Sequence, residues 1–289
     1  MSRKTPRLLA LESPYPGWHC MVRLLEPAHS CRQSLWERLL DGTYDKPFIL
    51  DTGRLRNLQF DLDAVQSVMR LDDPYQLSLA YTRKMMAFLL FNRSPERILM
   101  LGLGGGSLAK FCYRRLPSTA ITTVELNPDV IALREAFRIP ADDDRFRIIH
   151  GDSADYTAEL GPGKDVILAD ACDRTGVAPE VQGVEFYQNV WRRLSPGGVF
   201  VMNLCADRLS AATLLAKIRH VFGEFVTLPV RRDGNLIVFA FKKDLLEIPW
   251  QQLESNAIQL RQQLGLDFPR FVERIALDWK LRGGQSLPV

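Results

Sequence analysis

The sequence predicts an α/β protein in which a mostly parallel sheet with helices on both faces follows a smaller antiparallel β region. Beyond about residue 97, short apolar or β-branched runs alternate with helix-like stretches, as in strands joined by crossover helices. The last two strand candidates are separated only by Arg-Arg-Asp-Gly, a turn signal typical of an antiparallel hairpin. Upstream, residues 18–71 contain short β-like runs interrupted by Gly, Asp and Asn, which favours antiparallel strands.

These patterns divide the chain into a small N-terminal β-rich domain, residues 1–71, and a larger domain, residues 72–289. Residues 74–91 have helix-like spacing and are expected to join the two. In the larger domain one helix is expected to start at Asn127-Pro128, because Asn is a favoured N-cap and Pro suits the first turn. Residues 247–283 are expected to form one or two amphipathic helices that cover a face of the sheet.

The strand candidates of the larger domain are residues 97–101, 120–126, 145–150, 165–169, 198–204, 225–230 and 235–241. The helix candidates between them are residues 107–115, 127–138, 184–194 and 209–221. Seven strands that end in an antiparallel edge hairpin are the architecture of class I methyltransferase-like, or Rossmann-like, folds. Such a fold predicts where a ligand binds, but it does not identify the ligand.

Composition excludes several classes of protein. The chain has 289 residues, of which 46% are hydrophobic and 25% charged, as in ordinary soluble domains. A formal net charge of +3 without any Lys/Arg block gives no sign of a nucleic-acid partner. The N-terminal apolar run is too short for a secretory signal, and no run approaches the ~20 residues of a membrane span. We therefore expect a cytoplasmic protein with no membrane partner.

The five cysteines are odd in number, scattered and without a Cys-x-x-Cys pair. This usage favours reduced thiols and predicts no metal site. Cys172 lies between two aspartates and is a candidate nucleophilic thiol. Neighbouring carboxylates raise the pKa of a thiol and disfavour the reactive thiolate.

The candidate site follows from how the strands end. In open α/β sheets, ligands bind outside the carboxyl ends of the strands. The first predicted strand runs into a glycine-rich turn and the next three end near acids. The residues concerned are Gly102, Gly104 and Gly106, then Glu125, then Asp152 with Ser153, and finally Asp170 with Asp173.

This set of residues suits a nucleoside. Glycines admit a ligand close to the backbone and to a helix N-terminus, and the carboxylate of Glu125 can accept both hydroxyls of a ribose. Asp152 can accept from the amine of an adenine. A dinucleotide fingerprint usually has a third small residue where Ser107 stands. A sulfonium nucleoside, which carries a positive sulfur and no phosphate, fits these acids better than NAD.

Asp170 suits chemistry on an amine. An alkyl amine has a pKa near 10, so it arrives protonated at neutral pH and cannot attack carbon. A nearby carboxylate attracts that cation and then accepts its proton during attack. The leaving group is a neutral thioether and needs no acid, so placing the amine in line with the sulfonium supplies much of the remaining rate.

At this point the residues resemble the spermidine synthase (polyamine aminopropyltransferase) family. The resemblance covers roughly residues 48–205 and is carried by ILMLGLGGGSLAK, TTVELNPDVI, IIHGDSADY, VILADACD, EFYQNVWRRLSPGGVFVMN and AVQSVMRLDDPYQLSLAYTRKMM. It implies a small N-terminal β domain before a methyltransferase-like sheet, and a homodimer formed through that domain. It also implies that Asp170 is the base and Asp173 holds the charge of the acceptor, with Tyr81, Gln66 and Asn203 lining the substrate pockets.

The sequence departs from the family pattern at three places. Gly105 stands where the family has an Asp that grips the amino end of the aminopropyl group. Tyr81-Thr82-Arg83 replaces Tyr-His-Glu, and Arg174 replaces a Pro after the second catalytic-loop Asp. Two acids are lost and two arginines gained, which predicts weaker recognition of a dicationic amine such as putrescine.

Three hypotheses follow. The first is transfer of an aminopropyl group from decarboxylated S-adenosylmethionine to an amine or polyamine. The second is methyl transfer from intact S-adenosylmethionine, which a neutral residue at Gly105 permits. The third is a non-catalytic nucleoside-binding protein. In each, the nucleoside is a co-substrate or ligand, and no permanently bound cofactor is expected.

Overall fold

The computed structural model describes residues 8–13, 19–173, 176–230, 234–242 and 249–281, with Asp173 described by its backbone alone. The N-terminal part forms an antiparallel sheet whose five strands follow chain order. The strands are β1 (Leu9–Glu12), β2 (Cys20–Leu24), β3 (Phe48–Thr52), β4 (Leu55–Gln59) and β5 (Val65–Arg70). The predicted boundary between residues 71 and 72 stays a prediction.

A helix that the β-like runs did not predict lies between β2 and β3. This helix, α1 (Arg32–Leu40), packs Leu35, Trp36 and Leu39 against the small sheet. These three side chains recur at the three- to four-residue spacing of one helix face. That short apolar stripe was hidden by flanking polar residues in a region otherwise rich in strand signals.

The connection between the two sheets is less helical than residues 74–91 predicted. It consists of α2 (Ala80–Met85) and a 3-10 segment, Met86–Leu90, in which every residue is buried. Residues before Ala80 do not join the helix, because two of their carbonyls accept hydrogen bonds from a side chain and not from helix N–H groups. The Arg83 guanidinium donates to the carbonyls of Leu77 and Ser78, both at 2.7 Å.

The larger sheet confirms the predicted fold class. Its strands are β6 (Arg97–Leu101), β7 (Ala120–Glu125), β8 (Phe146–His150), β9 (Lys164–Ala169), β12 (Leu194–Leu204), β13 (Phe225–Pro229) and β14 (Leu236–Phe241). Their order in the sheet is β13-β14-β12-β9-β6-β7-β8, and only β14 runs antiparallel to its neighbours. A short antiparallel ribbon of two two-residue strands, β10 (Cys172–Asp173) and β11 (Gly176–Val177), follows β9. The chain reverses its direction of winding between β6 and β9, which is where such folds bind ligands.

Helices cover both faces of this sheet. They are α3 (Ser107–Arg115), α4 (Pro128–Ala132), α5 (Ser153–Glu159), α6 (Val184–Arg193), α7 (Arg208–Phe222), α8 (Trp250–Leu264) and α9 (Phe268–Leu281). The helix predicted over 127–138 is shorter, and Arg138 has a left-handed φ of 53° that is incompatible with helix continuation. Within the described ranges, no helix has the length and apolar character needed to cross a membrane.

One charged side chain is buried beneath the glycine turn. Lys110 on α3 is 1% exposed and donates to the Phe137 carbonyl at 2.8 Å. Burial, and to a smaller extent the charge of Arg138, lowers the pKa of the Lys110 ammonium to about 7. The bond holds the segment after α4 against the turn.

We expect Lys110 to make stability depend on pH. In the unfolded chain the ammonium titrates near its ordinary 10.5, so between pH 7 and 10.5 the unfolded state binds more protons than the folded state. The free energy of unfolding therefore rises with pH across this window, by up to about 1 kcal/mol per pH unit. Urea unfolding at several pH values should show that rise in the natural protein and a smaller rise in Lys110→Met. Lys280→Met, at an exposed site, is the control; equal slopes in all three proteins would contradict the expectation.

Candidate active site

A cavity of about 1030 Å³ lies at the carboxyl ends of β6, β7, β9 and β12, with β4 and β5 of the small sheet on its other side. It brings together most of the residues that the sequence singled out. These are Gln66, Tyr81, Gly102, Gly104, Glu125, Ser153, Asp170 and Asn203. Gly106 and Asp152 do not line it, and the side chain of Asp173 lies outside the described part of the chain.

A side chain is excluded at Gly102 and Gly106 for a different reason than glycine is used at Gly104. A Cβ on Gly102 would lie 2.3 Å from the carbonyl oxygen of Asp170, and one on Gly106 would lie 2.5 Å from Ile139 Cγ1. Both positions therefore serve packing within the protein. A Cβ on Gly104, where φ is 51°, would have no neighbour closer than 3.9 Å, and Gly104 lines the cavity. It is the position where a ligand can approach the backbone.

Glu125 ends β7 beside this turn and is half-buried. Its Oε2 accepts from the Leu103 backbone N–H and its Oε1 from that of Asn127, both at 2.9 Å. These bonds fix the carboxylate at the cavity wall. Each oxygen retains a further lone pair, so hydroxyl groups of a ligand can still donate to it.

Asp152 acts locally as a helix cap. Its Oδ1 accepts from the backbone N–H groups of Ala154 at 2.7 Å and Asp155 at 3.0 Å, at the start of α5. The cap places Ser153 on the cavity wall. Contact between Asp152 and an adenine stays a prediction. The α5 helix itself was not predicted, although Asp152 is a strong N-cap signal.

Asp170 follows β9 and is the centre of the polar network in the cavity. Asn203 Nδ2 donates to its Oδ1 at 2.8 Å, and the Tyr81 hydroxyl also donates to the carboxylate. Burial raises the pKa of Asp170, while these two hydrogen bonds act in the opposite direction. A carboxylate with a raised pKa that still receives donors is suited to accept a proton.

Asn235 extends the network and was missed by the sequence reasoning. Its Nδ2 donates to Asn203 Oδ1 at 2.9 Å, and it lines the cavity. It directly precedes β14, the strand paired with β12. The predicted hairpin contained a usable signal, since a polar residue at the start of its second strand lies at the same sheet edge as the end of β12.

Comparison with known proteins agrees with this geometry. The sequence-family model named spermine/spermidine synthase domain matches residues 78–240. A polyamine aminopropyltransferase of Chromobacterium violaceum is 37% identical over 229 residues, which cover 78% of this chain and 88% of that protein. The chain belongs to the spermine/spermidine synthase family. The predicted family and the prediction of a transferase enzyme are thereby confirmed.

Solved structures show the same fold. A probable spermidine synthase from Corynebacterium glutamicum, 19% identical, aligns with a TM-score of 0.63 over 96% of both chains. Human methyltransferase-like protein 13, solved in complex with SAH, is 27% identical and aligns with a TM-score of 0.60 over 65% of this chain and 93% of that one. Aminopropyltransferase and methyltransferase relatives thus share this architecture.

Gly105 is one of the positions at which the chain departs from the family pattern, and its surroundings are closely packed. A Cβ on Gly105 would lie 2.6 Å from Ser67 Oγ and 3.0 Å from Phe137 Cδ1. Ser67 on β5 is buried, and its hydroxyl is 3.3 Å from that of Ser107. The space beside Gly105 is therefore occupied by the side chains of Ser67 and Phe137, which would have to move to admit an acid.

The cavity wall is acidic. Its carboxylates are Asp45, Glu125, Asp170 and Glu180, and no Lys or Arg lines it within the described ranges. Arg83 was expected to bring a positive charge near the acceptor, but its guanidinium binds the carbonyls of Leu77 and Ser78. That expectation is wrong for Arg83, while Arg174 lies outside the described residues. The wall therefore favours cationic ligands.

The expectation of reduced thiols is also wrong for two cysteines. Cys172 and Cys205 form a disulfide with a Cα–Cα distance of 6.8 Å, within the usual range. It joins the loop after β9 to the loop after β12, two residues beyond Asp170 and Asn203 respectively. A disulfide sulfur is no nucleophile, so Cys172 is removed from the catalytic candidates.

A thiol count checks this pairing. Protein purified without reductant and unfolded in guanidinium should show three reactive thiols, those of Cys20, Cys31 and Cys112, and all five after reduction. The paired variant Cys172→Ser/Cys205→Ser should be less stable by about 2–4 kcal/mol, because the crosslink restricts the unfolded chain. Cys31→Ser, a free exposed thiol, is the matched control. Five thiols without reductant would contradict the disulfide.

Proposed function

We propose that the protein transfers an aminopropyl group from decarboxylated S-adenosylmethionine to an amine of the polyamine class. One observation carries the proposal: in a member of this family, the half-buried Asp170, hydrogen-bonded by Asn203 and Tyr81, lies in an acidic cavity beside the glycine turn. This places a proton acceptor next to the surface where a nucleoside can approach the backbone.

The step follows from these groups. The acidic wall attracts the protonated acceptor amine, and Asp170 accepts its proton. The freed nitrogen lone pair forms a bond to the carbon next to the sulfonium, and the carbon–sulfur bond breaks with its electron pair going to sulfur. The positive sulfur becomes a neutral thioether. The raised pKa of Asp170 makes it a better proton acceptor than an ordinary aspartate.

The donor is proposed to lie across the ends of β6, β7 and β8. Glu125 would accept from the ribose hydroxyls, Gly104 would admit the nucleoside to the backbone, and Asp152 with Ser153 would face the adenine. Gly102 and Gly106 would support this surface through their packing. The nucleoside is a co-substrate in this proposal, not a permanently bound cofactor.

The charge of the wall favours the decarboxylated donor. An intact S-adenosylmethionine carries a carboxylate, and no Lys or Arg in the described ranges lines the cavity to pair with it. The same charge favours an acceptor with more than one ammonium group. Gln66 and Tyr81 would line the substrate pockets, and Asp173 would hold the second charge of the acceptor.

Methyl transfer is the second candidate. The observation that favours it is the occupied space beside Gly105. The acid that other family members have at this position is absent here, so the donor end of the site has one negative charge fewer. The relative solved with SAH has a comparable fold at 27% identity. A donor that keeps its carboxylate would meet less repulsion there than in a family member with the acid.

The two candidates are separated by donor. We expect calorimetry to show tighter binding of decarboxylated than of intact S-adenosylmethionine, and mass spectrometry to show addition of an aminopropyl group to putrescine or spermidine. Asp170→Asn should keep donor binding and lower kcat by ~10²–10⁴, as for loss of a general base. Asp144→Asn, on an exposed loop, is the matched control. Methylated product, or no product with any amine, would refute the aminopropyl proposal.

The homodimer is proposed from the family resemblance, and the location and the excluded partners from composition and charge. A homodimer formed through the N-terminal sheet, a cytoplasmic location and the absence of nucleic-acid and membrane partners stay predictions. Light scattering on the purified protein measures the first of these.

A further inference from the structure

We propose that Asn235 is a positioning residue for the base. It fixes the orientation of the Asn203 side-chain amide, so that the NH₂ group of that amide, and not its oxygen, faces the Asp170 carboxylate. This inference rests on the proposed function, in which Asp170 accepts the proton of the amine. Asn235 has no part in that scheme otherwise.

The argument begins with the chemistry of a primary amide. One end of the Asn203 side chain accepts and the other end donates. Asn235 Nδ2 donates to Asn203 Oδ1 at 2.9 Å, and Asn203 Nδ2 donates to Asp170 Oδ1 at 2.8 Å. The bond from Asn235 therefore occupies the accepting end and leaves the donating end for Asp170. If the amide were turned over, two oxygens would face each other and the contact would be repulsive.

Burial makes this orientation matter. Asn203 is 3% exposed, so water has little access to satisfy its amide in another orientation. A hydrogen bond to an ionised carboxylate is stronger than one between neutral groups, and more so away from water. Asn203 lowers the pKa of Asp170 while burial raises it. The Asn203 bond therefore favours the ionised form of Asp170, against the effect of burial.

The backbone holds Asn235 in place. Its carbonyl accepts from the Val230 backbone N–H at 2.8 Å, which closes the hairpin. In the ladder between β12 and β14, Leu204 pairs with Leu236 and Asn203 with Ile237. Asn235 thus lies directly beyond the end of a fixed register, beside the end of β12.

Other ionisable groups also face the cavity. They are Tyr81 on α2, Glu125 at the end of β7, Glu180 in the 3-10 turn after β11, and Asp45 before β3. Cys172 and Cys205 also line the cavity, but they do not titrate because they form a disulfide. A pH profile of the natural protein alone therefore does not identify Asp170. The comparison must be between variants that differ at Asn235 and Asn203.

The experiment measures kcat and KM against pH, with the donor and amine that the natural protein uses. Asn235→Leu removes the donor without adding charge. We expect the acid limb of kcat/KM to move to higher pH and kcat near neutral pH to fall by up to about 10-fold, the scale of one hydrogen bond between neutral groups. KM for the amine should change little. Asn235→Gln, which keeps the donor, should recover part of the loss.

Two further variants test whether Asn235 acts through Asn203. Asn203→Leu should shift the acid limb at least as far, and the double variant should equal Asn203→Leu, because the two residues act in series. Asn189→Leu, a buried asparagine on α6 whose Oδ1 accepts from Arg192 at 3.0 Å, is the matched control. It should leave the profile unchanged.

Additive effects of the two variants would overturn the inference. So would an unmoved acid limb in Asn235→Leu, or a rise confined to KM for the amine, which would indicate direct substrate contact instead. The turnover of the natural protein in the same series reports on the proposed function, whereas the difference between it and the variants reports on Asn235.

Discussion

The contact between Gly102 and the carbonyl of Asp170 is the constraint on which the site depends. A side chain at position 102 would lie 2.3 Å from that oxygen, so only glycine lets the ends of β6 and β9 come together at the point where the sheet reverses its winding. The Asp170 N–H also bonds the Leu101 carbonyl at 2.9 Å. The same contact thus sets the distance between the glycine turn, where a nucleoside can approach, and the carboxylate that is proposed to act on the amine.

Burial and hydrogen bonding act in opposite directions on the ionisation of Asp170. The cavity wall carries several carboxylates and, in the part of the chain that the structure describes, no lysine or arginine. Such a wall attracts cations, whereas burial raises the cost of ionising Asp170. Donors from Asn203 and Tyr81 offset it. A base that must be ionised to accept a proton therefore depends on neutral polar neighbours rather than on cations, which would repel the substrate.

The sequence was sufficient for much of the fold and for the location of the site. Alternation of apolar runs and helices predicts parallel strands joined by crossover helices, and the carboxyl ends of those strands then place Gly104, Glu125 and Asp170 at one edge. What could not be predicted depends on tertiary contacts and on individual side-chain bonds. The pairing of Cys172 with Cys205 and the contact of Ser67 with Gly105 join residues far apart in the sequence. Arg83 binds the carbonyls of Leu77 and Ser78, which are close in sequence, but no helix or strand period predicts those bonds. Arg83 shows the consequence, since a cation placed by sequence near the acceptor is bound elsewhere.

The loss of the family's acid at position 105 is a packing change as much as a change of charge. Ser67 from the small sheet and Phe137 from the segment after α4 occupy the space beside Gly105, and Lys110 holds the Phe137 carbonyl from below. Three separate segments thus agree with a glycine at this position, and an aspartate introduced alone would meet Ser67 at 2.6 Å before its carboxylate reached any ligand. Under the proposed function, recognition of the donor's amino end would therefore rely on carboxylates of the wall and not on an acid at position 105.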